Sequence, residues 1–190
     1  QVRSFIAIEL PDELKLRLAR LQAQLKLGEP YSVKWVDPES IHLTLKFLGY
    51  VVADKIIDIN GAMQKACQGI SPFNLEVKEL GVFPNLRRVQ VAWVGMSGQI
   101  DRLCQLQQKI ESSLAPLGFA PESRRFTPHL TLARLRERAS LDERQRFGQL
   151  IADTGFEEIF TFEVDAISLM SSQLTRGGAI YSRINLVGLK

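Results

Sequence analysis

His42-Leu43-Thr44-Leu45 and His129-Leu130-Thr131-Leu132 are the same tetrapeptide, and together they hold both histidines of the 190-residue chain. A free imidazole titrates near pH 6.5, so it can give or take a proton at neutral pH. Two imidazoles can divide one displacement. One accepts the proton of the attacking group while the other protonates the leaving group. Threonine hydroxyls beside them, with a guanidinium, would donate hydrogen bonds to the charge that develops between. Such a set suits in-line displacement at phosphorus, where the attacking and leaving oxygens lie on opposite sides. It requires neither a metal nor a covalent intermediate. Other chemistries fit less well. A zinc site takes three or four ligands, usually clustered in sequence, and no such cluster is visible. A Ser-His-Asp arrangement uses one histidine and gives no reason for two matched strands. A GxSxG turn and a phosphate-cradling glycine loop are both absent.

The tetrapeptides need elements to hold them. Each reads as part of a strand, over 41–48 and 126–133. Strand side chains alternate, so His42 and Thr44 share one face and Leu43 and Leu45 the other. The same holds for His129, Thr131 and their leucines. Each tetrapeptide is therefore anchored by its leucines and presents an imidazole with a hydroxyl. Around them, 2–9 reads as a strand and 12–26 as a helix, with Leu14, Leu18, Leu21 and Leu25 at helical spacing. Residues 53–67 and 99–115 read as helices, and 73–83 and 89–95 as a hairpin. A short helix is expected over 141–152, opened by Ser140 with Glu143 three residues on. IFTFEVDAISLMSS and AIYSRINLVGL read as two closing strands. Trp35 and Trp93 read as core. Mixed strands and helices with hairpin links argue α+β rather than a doubly wound parallel sheet. The layout occurs twice, which points to an internal duplication into two lobes.

Bulk composition adds little. The net charge of +3 and pI near 9.0 suit an anionic ligand without establishing one. Cys67 and Cys104 form no CxxC pair and read as buried reduced thiols on helices. No apolar run is long enough for a membrane span, and the first residues read as a strand rather than a signal peptide, so a cytoplasmic location is the default.

HLTLKFLG and PHLTLAR, with FIAIELP, WVDPESIHLTLKFLG, LGVFPNLRRVQVAWVG and SQLTRGGAIYSRI, resemble the 2H phosphoesterases. The likeness is nearest to the RNA 2′,3′-cyclic phosphodiesterases, also described as 2′-5′ RNA ligases. It spans nearly the whole chain in the family's order. The resemblance implies one bilobal α+β domain over 1–190. Two pseudo-symmetric, mostly antiparallel lobes would carry helices outside and one HxTx strand each along a central cleft. It further implies opening of a terminal 2′,3′-cyclic phosphate to a 2′-phosphate without metal, cofactor or ATP, and reversible 2′-5′ joining. By position His42 and His129 match the catalytic histidines, and Thr44 and Thr131 the substrate-binding threonines. Arg134 matches a phosphate-binding arginine. Five residues from His129, it would face away in a regular strand, so a bulge or strand end has to turn it inward. Phe47 and Tyr181 are candidates for stacking on the terminal base. Arg124, Arg125 and Arg136 are candidates for backbone contacts. The partners implied are RNA ends bearing a cyclic phosphate, tRNA fragments among them, met by a monomer. His42 is assigned as the acid and His129 as the base. Two alternatives stand beside this reading: the same chemistry on another 2′-5′-linked or cyclic nucleotide, and a non-catalytic RNA-end-binding module. Gly49 is followed by Tyr50, where many relatives carry an acid.

Overall fold

The computed structural model describes residues 1–28, 32–156 and 159–190. Nine strands and four helices follow in order among them: β1 (Val2–Glu9), α1 (Asp12–Lys26), β2 (Val33–Trp35), β3 (His42–Val51), α2 (Lys55–Cys67), β4 (Phe73–Phe83), β5 (Val91–Gly98), α3 (Ile100–Leu114), β6 (His129–Leu135), α4 (Leu141–Thr154), β7 (Phe160–Val164), β8 (Ala166–Thr175) and β9 (Gly178–Gly188). They form two antiparallel sheets, ordered β3-β1-β8-β9 and β2-β6-β5-β4-β7. The result is the two-lobed α+β architecture expected, with one HxTx strand in each lobe. Setting β3, β1 and β8 beside β6, β5 and β4 aligns the lobes strand for strand.

Each helix buries one face. In α1, Leu14, Leu18, Leu21 and Leu25 are buried, with Asp12 and Glu13 at the start and Lys26 at the end, where the helix dipole favours those charges. Helix α4 opens with the capping box expected: Ser140 Oγ accepts from Glu143 N–H, and Glu143 accepts from Ser140 N–H. Helices α2 and α3 pack together, α2 against β9 and α3 against β3, while α4 packs on β4. Helix α1 follows a strand of the first sheet yet lies against the second. Its buried Gln22 donates to the carbonyls of Val36 and Leu132, and Arg17 lies over the Phe160 ring. Conversely, α3 follows a strand of the second sheet and covers the first.

Several expectations need correction. The IFTFEVDAISLMSS stretch is two strands, not one. It breaks at Asp165, whose carbonyl accepts from Leu189 N–H; β7 then joins the second sheet and β8 the first. The lobes are therefore not the two halves of the sequence. The three-residue β2 was not expected as a strand. The strand expected over 126–133 begins at His129, just after Pro128, and the one expected over 89–95 runs Val91–Gly98. Trp93 is half-buried on the face away from Ala92 and Val94, outside the main core. Cys67 is buried, which pushes its thiol up to about 11, but Cys104 is only partly so. No helix among the described residues is long and apolar enough to cross a membrane.

Candidate active site

In β3 the burial sequence from His42 alternates through Leu45 and then slips: Leu45 and Lys46 are both buried, and Phe47 is exposed. The cause is a bulge. Ala7 pairs with Thr44 and Ile6 with Lys46, so Leu45 has no partner on β1. In β6 the same slip occurs. Trp93 pairs with Thr131 and Ala92 with Ala133, so Leu132 has no partner on β5. After each bulge the parity reverses. Phe47 thereby joins His42 and Thr44 on one face, and Arg134 joins His129 and Thr131. The inward turn that Arg134 requires is thus built into the strand. Phe47 and Arg134 are equivalent positions in the two lobes.

The residues turned the other way differ. Ala133 simply packs in the core. Lys46 is a buried charge and is fully engaged, donating to Glu111 Oε2 at 2.7 Å and to the Ala120 carbonyl at 2.9 Å. A buried ammonium without such partners would be costly.

Both imidazoles are oriented alike. His42 Nδ1 lies 2.8 Å from the Ser40 carbonyl and His129 Nδ1 2.7 Å from the Thr127 carbonyl, each two residues upstream. A carbonyl can only accept, so Nδ1 carries the hydrogen and Nε2 is left for proton exchange. The rings have different walls. Phe5 stacks on His42 with centroids 4.6 Å apart, and Tyr181 meets it edge-on at 5.0 Å. Phe5, Ala7 and Met170, with Tyr181 against them, form an apolar cluster separate from the main core. His129 has Phe83 edge-on at 5.1 Å. Phe83 in turn packs on Trp93, whose indole lies over Gly81. A Cβ at Gly81 would fall well inside van der Waals contact of that ring, so only glycine leaves room.

Electrostatics follow the walls. Glu9 is the cross-strand partner of His42. Burial pushes the Glu9 carboxyl up, but bonds from Ser168 Oγ and Arg183 Nε to its Oε2 outweigh this and hold it below the ordinary value. Burial pushes His42 below its ordinary value, against the opposing influence of the Ser40 carbonyl and the Glu9 charge. A cleft of about 320 Å³ opens beside His42, lined among others by Glu9, Lys15, Tyr181 and Arg183. Among the described residues no group of three or more His, Cys, Asp and Glu side chains is placed to hold a metal ion.

The candidates thus collect at two matched places: His42, Thr44, Phe47 and Tyr181 on one sheet, and His129, Thr131 and Arg134 on the other. Strands β3 and β6 lie against one another. Arg124, Arg125 and Arg136 are exposed and lie outside strands β3 and β6. Glu9, Phe5, Phe83 and Trp93 were missed. Strand alternation could have found Trp93, since Ala92 and Val94 claim the core side; the others show only through cross-strand pairing.

The family model for LigT-like phosphoesterases matches the chain twice, over residues 8–93 and 94–181, with one HxTx strand in each match. The chain belongs to the LigT-like phosphoesterases. Its resemblance to the 2H group is thereby borne out. A Methanothermobacter thermautotrophicus protein named RNA 2′,3′-cyclic phosphodiesterase is 33% identical over 100% of both chains. An Aeropyrum pernix protein of the same name is 35% identical over 88% of this chain and 92% of its own. The crystal structure of E. coli LigT complexed with 3′-AMP superposes with a TM-score of 0.78 at 27% identity, covering 100% of this chain and 98% of that one. The double match agrees with the strand-for-strand correspondence of the lobes in this LigT-like phosphoesterase.

Proposed function

We propose that this protein is an RNA 2′,3′-cyclic phosphodiesterase, one bilobal domain over 1–190, opening a terminal cyclic phosphate to a 2′-phosphate. The observation that carries the reading is the pair of equivalent imidazoles. Each is locked through Nδ1 to a carbonyl and stands beside a threonine on the free face of its sheet. His129 Nε2 takes the proton of the attacking water. His42 Nε2 gives a proton to O3′ as the P–O3′ bond breaks. Burial lowers the pKa of His42, which makes its imidazolium a better proton donor than a free one. The Thr44 and Thr131 hydroxyls and the Arg134 guanidinium meet the equatorial oxygens, where charge builds. Phe47 and Tyr181 take the terminal base by stacking. With a 5′-hydroxyl in place of water the same displacement, P–O5′ forming as P–O3′ breaks, leaves a 2′-5′ linkage; in the reverse cleavage O3′ attacks, the 5′-oxygen leaves, and the two histidines exchange roles. The substrates are RNA ends with a cyclic phosphate, tRNA fragments included, met in the cytoplasm by a monomer that uses no metal or cofactor.

Incubation with a 2′,3′-cyclic mononucleotide and EDTA tests this directly. Turnover to the 2′-phosphate isomer is expected. Absence of any turnover would sink the catalytic reading, and complete loss on chelation would sink the metal-free mechanism.

A further inference from the structure

The second sheet carries more positive charge than one phosphate requires. Lys34 of β2 is the direct cross-strand partner of Arg134, so both side chains project from the same face. Like charges directly opposite are destabilising in a sheet. Neither is relieved: both are exposed, and among the described residues neither has an ion-pair partner. Glu143, which reaches the flank of β2, is committed to Ser32 Oγ and to the α4 cap.

The register that creates this juxtaposition is pinned at both ends. Val36 N–H and Gln22 Nε2 both donate to the carbonyl of Leu132, the bulge residue, and Arg136 N–H donates to the Ser32 carbonyl. A strand of only three residues is thus fixed so that Lys34 sits opposite Arg134.

Further positive charge lies in the turn at the neighbouring strand ends. Val91 pairs with Arg134 on one side and Phe83 on the other, and the turn joining Phe83 to Val91 carries Arg87 and Arg88. The turn is closed by Asn85 Oδ1, which accepts from the backbone N–H of both arginines, leaving their side chains exposed. It borders a cavity of about 550 Å³ lined by both arginines with Val82, Asn85 and Leu86.

We propose that Lys34 beside Arg134, with Arg87 and Arg88 in the turn at the end of the next two strands, holds the backbone phosphates of an RNA strand, so that the substrate is recognised as a polymer. The proposal rests on the phosphodiesterase reading, in which Arg134 meets the reacting phosphate. A mononucleotide offers one phosphate and satisfies Arg134 alone. The remaining cations have anions to meet only when further nucleotides are attached. Each phosphate neutralised releases a condensed counterion, which makes the contacts measurable through salt.

The test compares adenosine 2′,3′-cyclic phosphate with a six-nucleotide RNA ending in the cyclic phosphate. The proteins are wild type, Lys34→Gln, Lys34→Arg and the double variant Arg87→Gln/Arg88→Gln. In Lys34→Gln and in the double variant, kcat/KM for the hexamer should fall about tenfold more than for the mononucleotide. The slope of log affinity against log salt should shrink by about 0.7 per cation removed. Lys34→Arg should restore the hexamer. Equal losses on both substrates would place Lys34 at the reacting phosphate instead. No loss on either would make these cations ordinary surface charge. Either result overturns the proposal. Titration with a 3′-phosphorylated hexamer reads the same contacts without turnover, so failure of the phosphodiesterase reading would be seen separately.

Discussion

The two HxTx strands share a backbone and differ in their walls. Both bulge three residues after the histidine, and both fix Nδ1 on a carbonyl two residues upstream. Beyond that the lobes diverge. His42 packs against Phe5 and Tyr181, with Phe47 past the bulge, while Glu9, Lys15 and Arg183 line the cleft beside it. On the other sheet the same post-bulge position is Arg134, with Lys34 next to it. In the proposed mechanism the shared part positions the two proton carriers, which exchange roles between the two directions of the step. Under the same proposal the unlike parts give the cleft a polarity: a base end and a phosphate end.

Breaking the shared part should cost most. His42→Ala and His129→Ala are each expected to lower single-turnover rates by about 10²–10⁴-fold, while affinity for a 3′-phosphorylated oligonucleotide changes little. Near-normal turnover in either variant would mean that the lobes do not divide the chemistry. Breaking the unlike parts should cost less and differently. Arg134→Gln should lower kcat/KM by roughly 10–100-fold on mononucleotide and polymer alike, the scale of one charge-assisted hydrogen bond. Phe47→Ala should raise KM several-fold with kcat kept, the low end of about 1–3 kcal/mol for one base–aromatic stack. Equal kcat losses in these two variants would erase the distinction between the ends. Gly81→Ala probes the second lobe alone. The displaced Trp93 should cost about 1–3 kcal/mol in denaturant unfolding and lower activity through the His129 face. The smallest effect is on pH. The folded pKa of His42 lies below the ordinary imidazole value of about 6.5, so the unfolded chain takes up this proton first and stability drops as pH falls through that value. His42→Gln lacks this penalty, and the Tm difference between wild type and variant should shift in the variant's favour from pH 7 to pH 5.

What was legible in the sequence was local. Helix α1 could be read from four leucines at helical spacing, and the start of α4 from a Ser and a Glu three apart. The site histidines and threonines stood out because a tetrapeptide recurs. The bulges were not legible, since an extra residue exists only relative to a partner strand. That is why Arg134 appeared to face the wrong way and Lys34 attracted no notice. The split at Asp165 was hidden for a similar reason. An unbroken run of strand-forming residues gives no sign that its two parts pair in different sheets. Trp93 looked like core because a large aromatic usually is, although its strand neighbours already occupied the core side.

The exchange of helices between the sheets has a consequence for the chain's mechanics. Helix α1 leaves the first sheet to cover the second, α3 does the reverse, and β4 and β8 each cross to sit beside a strand of the opposite repeat. Each repeat therefore completes the other, as the arms of a swapped dimer do when its two subunits are fused into one chain. Cutting between the repeats would free no self-sufficient unit. The same interlock holds each imidazole-bearing strand against a helix of the opposite repeat, β3 through Gln107 of α3 and β6 through Gln22 of α1.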